Sequence, residues 1–396
     1  MTGSCNLSAG RSLRSKGEIK SRSVALIAVG DLAFNGAYHK KLYQRGPDYP
    51  FRRVKPAWSV ADLRLGNLES PITDQRRVTT TKLTLRGTER AIGSLSYAGI
   101  DCVTLANNHM MDFGPHGLAD TCARLDEANI AHVGAGMNRE QASAPIVLKR
   151  RGLRVGILAA CDVEQVSPLY ATIDGPGVAA LEHDRMLSDV RNLRSDVDCL
   201  VVQLHWGVEM SRLPTNAQRS FARKLVDAGV DVLLGHHPHV LQPVEEIDGR
   251  TVAYSLGDFT FSSTFWRGAN SRENFLAHFK MHPLSRETGW LEVEFRRDGS
   301  CASLFHAARL SPDLSVHECD SPTRNSAFLD LARLLDDDKY ERLVKQEEAL
   351  AVERDRWRLD GKRITRRLAL KLLDWGLLPG RYVEPDGVHW RRATRN

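Results

Sequence analysis

The 396-residue chain contains no apolar run near the roughly 18 residues that a membrane-spanning helix needs, so no transmembrane segment is expected. Residues 1–23 are polar and basic and lack an apolar core. They read as a disordered leader and not as a secretory signal. The seven cysteines form no Cys-x-x-Cys pair, and Cys102, Cys161 and Cys199 lie in or beside apolar runs. Most therefore read as buried thiols, and the pattern points to a reducing, cytoplasmic compartment. Internal repeats and low-complexity segments are absent. No run of stacking aromatics and no recognised module accompanies the basic C-terminal residues, so nothing argues for a nucleic-acid partner.

What is present is enough to build a large core: 42% of the residues are hydrophobic. The net charge of +6 and a pI near 8.9 mildly favour an anionic partner, either a small molecule or a polymer. Along the chain one pattern recurs. A short apolar run rich in strand formers ends in polar residues, and a helical pattern follows. Residues 24–29 end at Gly30-Asp31, and 63–65 end at Gly66-Asn67-Leu68-Glu69. Residues 101–106 end at Asn107-Asn108-His109, 198–204 at His205-Trp206-Gly207, and 251–255 precede Asp258. Helices are expected over 88–99, 117–129, 183–195 and 215–229. This alternation predicts an α/β fold with parallel strands, which places its polar clusters along one edge of a sheet.

The strongest cluster follows Val230-Asp231-Val232-Leu233-Leu234. It reads Gly235-His236-His237-Pro238-His239. If the segment stays extended, His237 and His239 project to one side, and Pro238 biases His237 towards β or polyproline geometry. Such a pair can clamp a divalent ion through neutral imidazole. Further on, 260–288 read as a polar, aromatic-bearing loop that contains Arg267. Residues 290–297 and 301–310 read as a hairpin turning at Asp298-Gly299. Residues 312–325 read as a linker and 327–353 as one long helix. The basic stretch 354–371 reads as a solvated helix face, with contact to an anionic surface as the alternative.

These clusters, in this order and spacing, resemble the CapA family of capsule-synthesis, poly-γ-glutamate-associated proteins. The likeness spans residues 24–262. It is carried by Gly30-Asp31, Asn67-Leu68-Glu69-Ser70-Pro71, Ala106-Asn107-Asn108-His109-Met110-Met111-Asp112, His205-Trp206-Gly207, Gly235-His236-His237-Pro238-His239 and Leu256-Gly257-Asp258-Phe259. The resemblance implies a calcineurin-like metallophosphoesterase fold: an αββα sandwich with a two-metal centre between strand ends, here with a helical C-terminal extension. The implied organisation is a leader over 1–23, a metallophosphoesterase domain over 24–311 and a basic helical extension over 326–396. Asp31 and His239 would hold one metal, and Asn108, His205 and His237 the second. Asn67, by register, or Glu69, by charge, would bridge them. His109 would act as general acid or transition-state stabiliser. Asn107, His236, Asp258 and Arg267 are assigned to substrate binding. A ligand set of oxygen and nitrogen without thiolate suits two divalent ions of Mn, Fe or Zn.

The sequence departs from the pattern at three places. Ala33 stands where the first motif of phosphoesterases carries His, Asp258 stands where the family usually has Asn, and His205-Trp-Gly-Val-Glu209 is followed by Met210 and not Tyr. Three functions fit: a metal-dependent phosphoesterase, an accessory protein of capsule or poly-γ-glutamate synthesis that holds a polyanion, and a metal-dependent γ-glutamyl amide hydrolase.

Overall fold

The structure is a computed structural model that describes residues 23–76, 82–163, 169–269, 274–319, 331–336, 338–359, 364–365, 381–383 and 389–391. Of the expected leader only Ser23 falls within the described residues, and it opens the first strand.

Ser23–Leu32 is buried along its whole length and lies inside the first sheet. It runs parallel to Leu63–Leu68, which is followed outwards by the parallel strands Cys102–Thr104 and Ala131–Val133. On its other side come Glu287–Arg296, Cys301–Leu310 and Val316–Glu318, all antiparallel. The parallel strands read as unbroken apolar runs because both faces are covered. The second sheet has Leu153–Cys161, Cys199–His205, Val232–His236 and Arg250–Ala253 in parallel. The antiparallel strands Ile146–Arg150 and Val244–Ile247 form its edges.

Alternation along these strands separates two cores. Val201, Val232 and Leu234 face the first sheet, with Leu65 and Val103 in the same cluster. Val202, Leu204 and Leu233 face the other way and meet Val190 and Leu225 from the helices His183–Arg194 and Asn216–Asp227. Leu95 of Arg90–Ala98 and Leu118 and Leu125 of Gly114–Glu127 join the first core. The result is the expected αββα sandwich. Local signals set the helix ends. Thr215 and Gln218 form a reciprocal capping box, and Gly99 ends its helix in the left-handed region.

Two glycines let backbones cross closely where the strands deliver the polar clusters. A Cβ on Gly30 would lie 1.9 Å from the Gly257 carbonyl oxygen, and one on Gly235 would lie 1.8 Å from that of Tyr254. Neither position has room for a side chain.

The C-terminal half differs from the sequence reading. The expected loop at 260–288 contains an antiparallel hairpin, Thr264–Ala269 with Asn274–Phe279. Composition made it look like a loop, but Trp266, Phe279 and Met281 are buried in the first core. The expected linker carries the edge strand Val316–Glu318, and residues 320–325 lie outside the described residues. Of the long helix expected over 327–353, residues 327–330 and 337 lie outside the described residues; 331–333 are helical, a 3-10 turn Leu334–Asp336 follows, and Tyr340–Leu359 is a separate helix. A run of three aspartates, 336–338, sits where the helix must begin; Asp favours helix starts over helix interiors. The basic stretch is not simply solvated. Arg354 reaches the Met210 carbonyl at 3.0 Å, and Arg358 is only 1% exposed. The extension is helical through Leu359, after which the described pieces Ile364–Thr365, Arg381–Val383 and His389–Arg391 are short strands.

Candidate metal centre

Parallel strands that end on the same edge bring the separate clusters together. Asp31 lies at the end of its strand, Asn67 near the end of the next, and His205 and His236 end theirs. Asp258 enters by pairing with Asp31 in parallel register. Two nests of ligand-type side chains result.

The first nest contains Asp31, Glu69, His239 and Asp258. Each offers one ligand atom, and those atoms all lie within 4.8 Å of one another. His239 Nδ1 is 2.7 Å from Asp258 Oδ1, and its Nε2 is 3.8 Å from Glu69 Oε1. The second nest holds Asn108, His205 and His237. His205 Nε2 is 3.0 Å from Asn108 Oδ1, and the His205 and His237 rings are 4.9 Å apart. Asn67 joins the two nests: its Nδ2 donates to Asp31 Oδ1 at 2.9 Å and lies 3.3 Å from His205 Nδ1.

The His-His-Pro-His segment is not extended. His237 has φ 98° and His239 φ 59°, both left-handed, against the expectation of a flat pair flanking a proline. The turn is held from outside the segment, since the His237 N–H donates to Asp31 Oδ2 at 3.3 Å. Left-handed backbone at non-glycine residues is costly and marks sites where the surroundings override local preference.

The first nest fits a cation. Both Glu69 carboxylate oxygens are buried, and among the described residues neither has a hydrogen-bond partner. An unpartnered buried carboxylate is expensive unless a positive charge meets it. Burial pushes the Glu69 carboxyl well above its usual range, and it does the same, less strongly, to Asp258. His239 shows the same demand for positive charge. Burial opposes its protonation, yet Asp258 and Glu69 raise it to about 10. The second nest is neutral. Burial, with the neighbouring imidazoles, pushes His205 far down, and burial takes His237 to about 4. Neutral imidazole is the form that ligates metal.

His109 stands beside the second nest, 5% exposed. Its Nδ1 lies 2.8 Å from Asp112 Oδ2, while Lys82 Nζ lies 2.9 Å from Asp112 Oδ1 and donates to the Asn108 carbonyl at 2.7 Å. The ring is therefore oriented by a buried carboxylate that is itself paired. Burial and Lys82 lower the His109 pKa against Asp112.

The four residues assigned to substrate binding take different places. Asn107 is fully buried and spends its amide on scaffold: Nδ2 donates to Asn67 Oδ1 and the Leu68 carbonyl, and Oδ1 accepts from the His109 N–H. His236 is buried with Nδ1 3.2 Å from Asp31 Oδ1. Asp258 sits inside the first nest. Arg267 lies in the strand Thr264–Ala269, and its side chain is outside what the structure describes. Sequence reasoning gave no role to Lys82, Asp112, Glu209 or Arg358. Asp112 and Glu209 were visible as motif residues. Arg358 was not, since 149 residues separate it from Glu209, its partner at 2.8 Å.

Carboxylates and imidazoles converging on one strand edge of an αββα sandwich form a site suited to a divalent metal. The profile of the family described as bacterial capsule synthesis protein PGA_cap matches residues 25–263, and the chain belongs to that family. It is 32% identical over 268 residues to the PGA biosynthesis protein CapA of Bacillus subtilis, covering 67% of this chain and 69% of that one. It is 32% identical over 286 residues to the capsule biosynthesis protein CapA of Bacillus anthracis, covering 68% and 69%. Among solved structures it is similar to a phosphatase from Mycoplasma pneumoniae, with 15% identity, TM-score 0.46, and coverage of 78% of this chain and 99% of that one. Among the described residues no helix is long and apolar enough to cross a membrane.

Proposed function

We propose that this protein is a metal-dependent hydrolase of phosphoesterase type, working on an anionic small molecule or polymer with two divalent ions of Mn, Fe or Zn. The observation that carries this reading is the fully buried carboxylate of Glu69, without a hydrogen-bond partner among the described residues, in a nest with Asp31, His239 and Asp258. Asp31, Glu69, His239 and Asp258 would hold one ion, and Asn108, His205 and His237 the other. Bound there, the ions would supply Lewis acidity and a nucleophile at neutral pH. The chain's own residues do the rest. Asp112, paired with Lys82, holds the His109 Nδ1–H and leaves Nε2 to exchange a proton with the reacting oxygens. Asn107 locks Asn67 and the His109 backbone in one hydrogen-bonded unit.

The test is elemental analysis of the purified chain together with hydrolysis of a chromogenic aryl phosphate in Mn. His109→Ala should keep its metal and lose turnover by about 100-fold or more. Metal loss in that variant would refute the role given to His109, and a wild-type chain that takes up no metal would sink the whole reading.

A second reading has one observation behind it. Asn67 presents an amide to Asp31 where two cations would share a carboxylate, and Ala33 offers no ligand. A single-ion site that binds a capsule-type polyanion without turnover fits that pattern. One ion per chain and no hydrolysis of phosphoesters or γ-glutamyl amides would favour it.

A further inference from the structure

We propose that Arg358, carried by the C-terminal helix, is the anion-recognition residue of the metal centre and takes a phosphate oxyanion of the substrate. The proposal rests on the metal-hydrolase reading above and names a recognition group for it. Arg358 lies outside residues 25–263 that define the family match, so it is a contribution of the extension to a site built elsewhere.

The helix Tyr340–Leu359 is fastened over the loop that follows His205. The Tyr340 hydroxyl donates to the Pro214 carbonyl at 2.6 Å, and Arg354 donates to the Met210 carbonyl at 3.0 Å. Ala351 is fully buried against Met210 and Val240. At its far end the Arg358 carbonyl accepts from the Lys280 N–H at 3.0 Å, which ties the helix to the hairpin.

Held this way, the guanidinium lies on the Phe279 ring, 4.4 Å from its centroid. Nη1 donates to Glu209 Oε1 at 2.8 Å, and that oxygen is 3.6 Å from His239 Nε2. One carboxylate therefore separates Arg358 from the first nest. Its Nε is buried and, among the described residues, has no hydrogen-bond partner. Arg219 also has a buried Nε without a hydrogen-bond partner among the described residues while it pairs with Glu245, so what distinguishes Arg358 is its place one carboxylate away from the first nest. A donor left over beside a metal nest is what an incoming oxyanion requires, and the guanidinium fork matches phosphate geometry.

The test is calorimetric titration of inorganic phosphate into the full chain loaded with Mn, with Mn content measured in every variant. The wild type should bind phosphate. R358Q should weaken binding tenfold or more with Mn unchanged, R358K should recover part of the loss, and E209Q should bind phosphate more tightly because it removes the carboxylate charge that competes with the anion for Arg358. Wild-type affinity in R358Q with Mn retained overturns the role of Arg358 and leaves the hydrolase reading standing. Loss of Mn from R358Q also overturns it, because the helix would then be supporting the ligands. A wild-type chain without Mn overturns the hydrolase reading and this proposal together. Should R358Q fail to fold, E209Q decides: unchanged or weaker phosphate binding, or loss of Mn, overturns the proposal.

Discussion

The two nests of the candidate centre differ in how strongly they call for an ion. The first is built from charge: three buried carboxylates around one imidazole, with Glu69 lacking a hydrogen-bond partner among the described residues. Burial raises the carboxyls of Glu69 and Asp258, and those carboxylates in turn raise His239 against its own burial. The second is built from neutral nitrogen and amide groups: His205 and Asn108 pair with each other, while His237 Nδ1 has no hydrogen-bond partner among the described residues. Desolvated carboxylates gain far more from a cation than hydrogen-bonded neutral ligands do. The first nest should therefore fill first and hold its ion more tightly, while the second determines whether the centre becomes binuclear.

The largest expected effect comes from Asp31, which touches both nests through His239, Asn67 and the His237 N–H. Asp31→Asn should weaken both ions by about 100-fold or more, since even outer groups around metal sites cost 10–100-fold. Competition with a chromogenic chelator measures this, and two ions retained at wild-type affinity would break the comparison. Next, His237→Ala should take the chain from two ions to one, emptying the second nest only. Loss of both ions would mean that the nests are one site. Asn67→Asp is a sharper and smaller change. A carboxylate between the nests should tighten the second ion by about tenfold, a gain of about 1.4 kcal/mol. In chelator the same variant should be less stable by about 1–3 kcal/mol, because it adds charge beside Asp31 and removes a donor to it. A higher melting temperature in EDTA would contradict the assignment. The smallest effect is for Glu69→Gln, which should raise stability in EDTA by about 1 kcal/mol and lower it in metal. Equal shifts in both buffers would show that Glu69 is indifferent to the ion.

The parts of this centre that sequence could reveal share one property. Asp31, Asn67, Glu69, Asn108, His205 and His237 each follow an apolar run, and strands that run parallel deliver their ends to the same edge. Local pattern therefore carries long-range information there. The hairpin Thr264–Ala269 with Asn274–Phe279 read as a loop because its composition is mixed; its pairing depends on Trp266 and Phe279 reaching a core made by distant strands. The left-handed conformation of His237 contradicts the local preference before proline, and it is held by Asp31, 206 residues away, which accepts the His237 N–H.

By itself the sequence determined the layered α/β plan and most of the ligand types. Those features depend on periodicity and on residue chemistry, both of which are local. Tertiary structure alone decided that Asp258 enters the carboxylate nest, that Asn107 is scaffold and that Asp112 orients His109. It also decided that a basic residue near the end of the chain lies buried against Glu209. Each of these depends on which groups share a desolvated space, and burial and charge partnership are properties of the assembled fold.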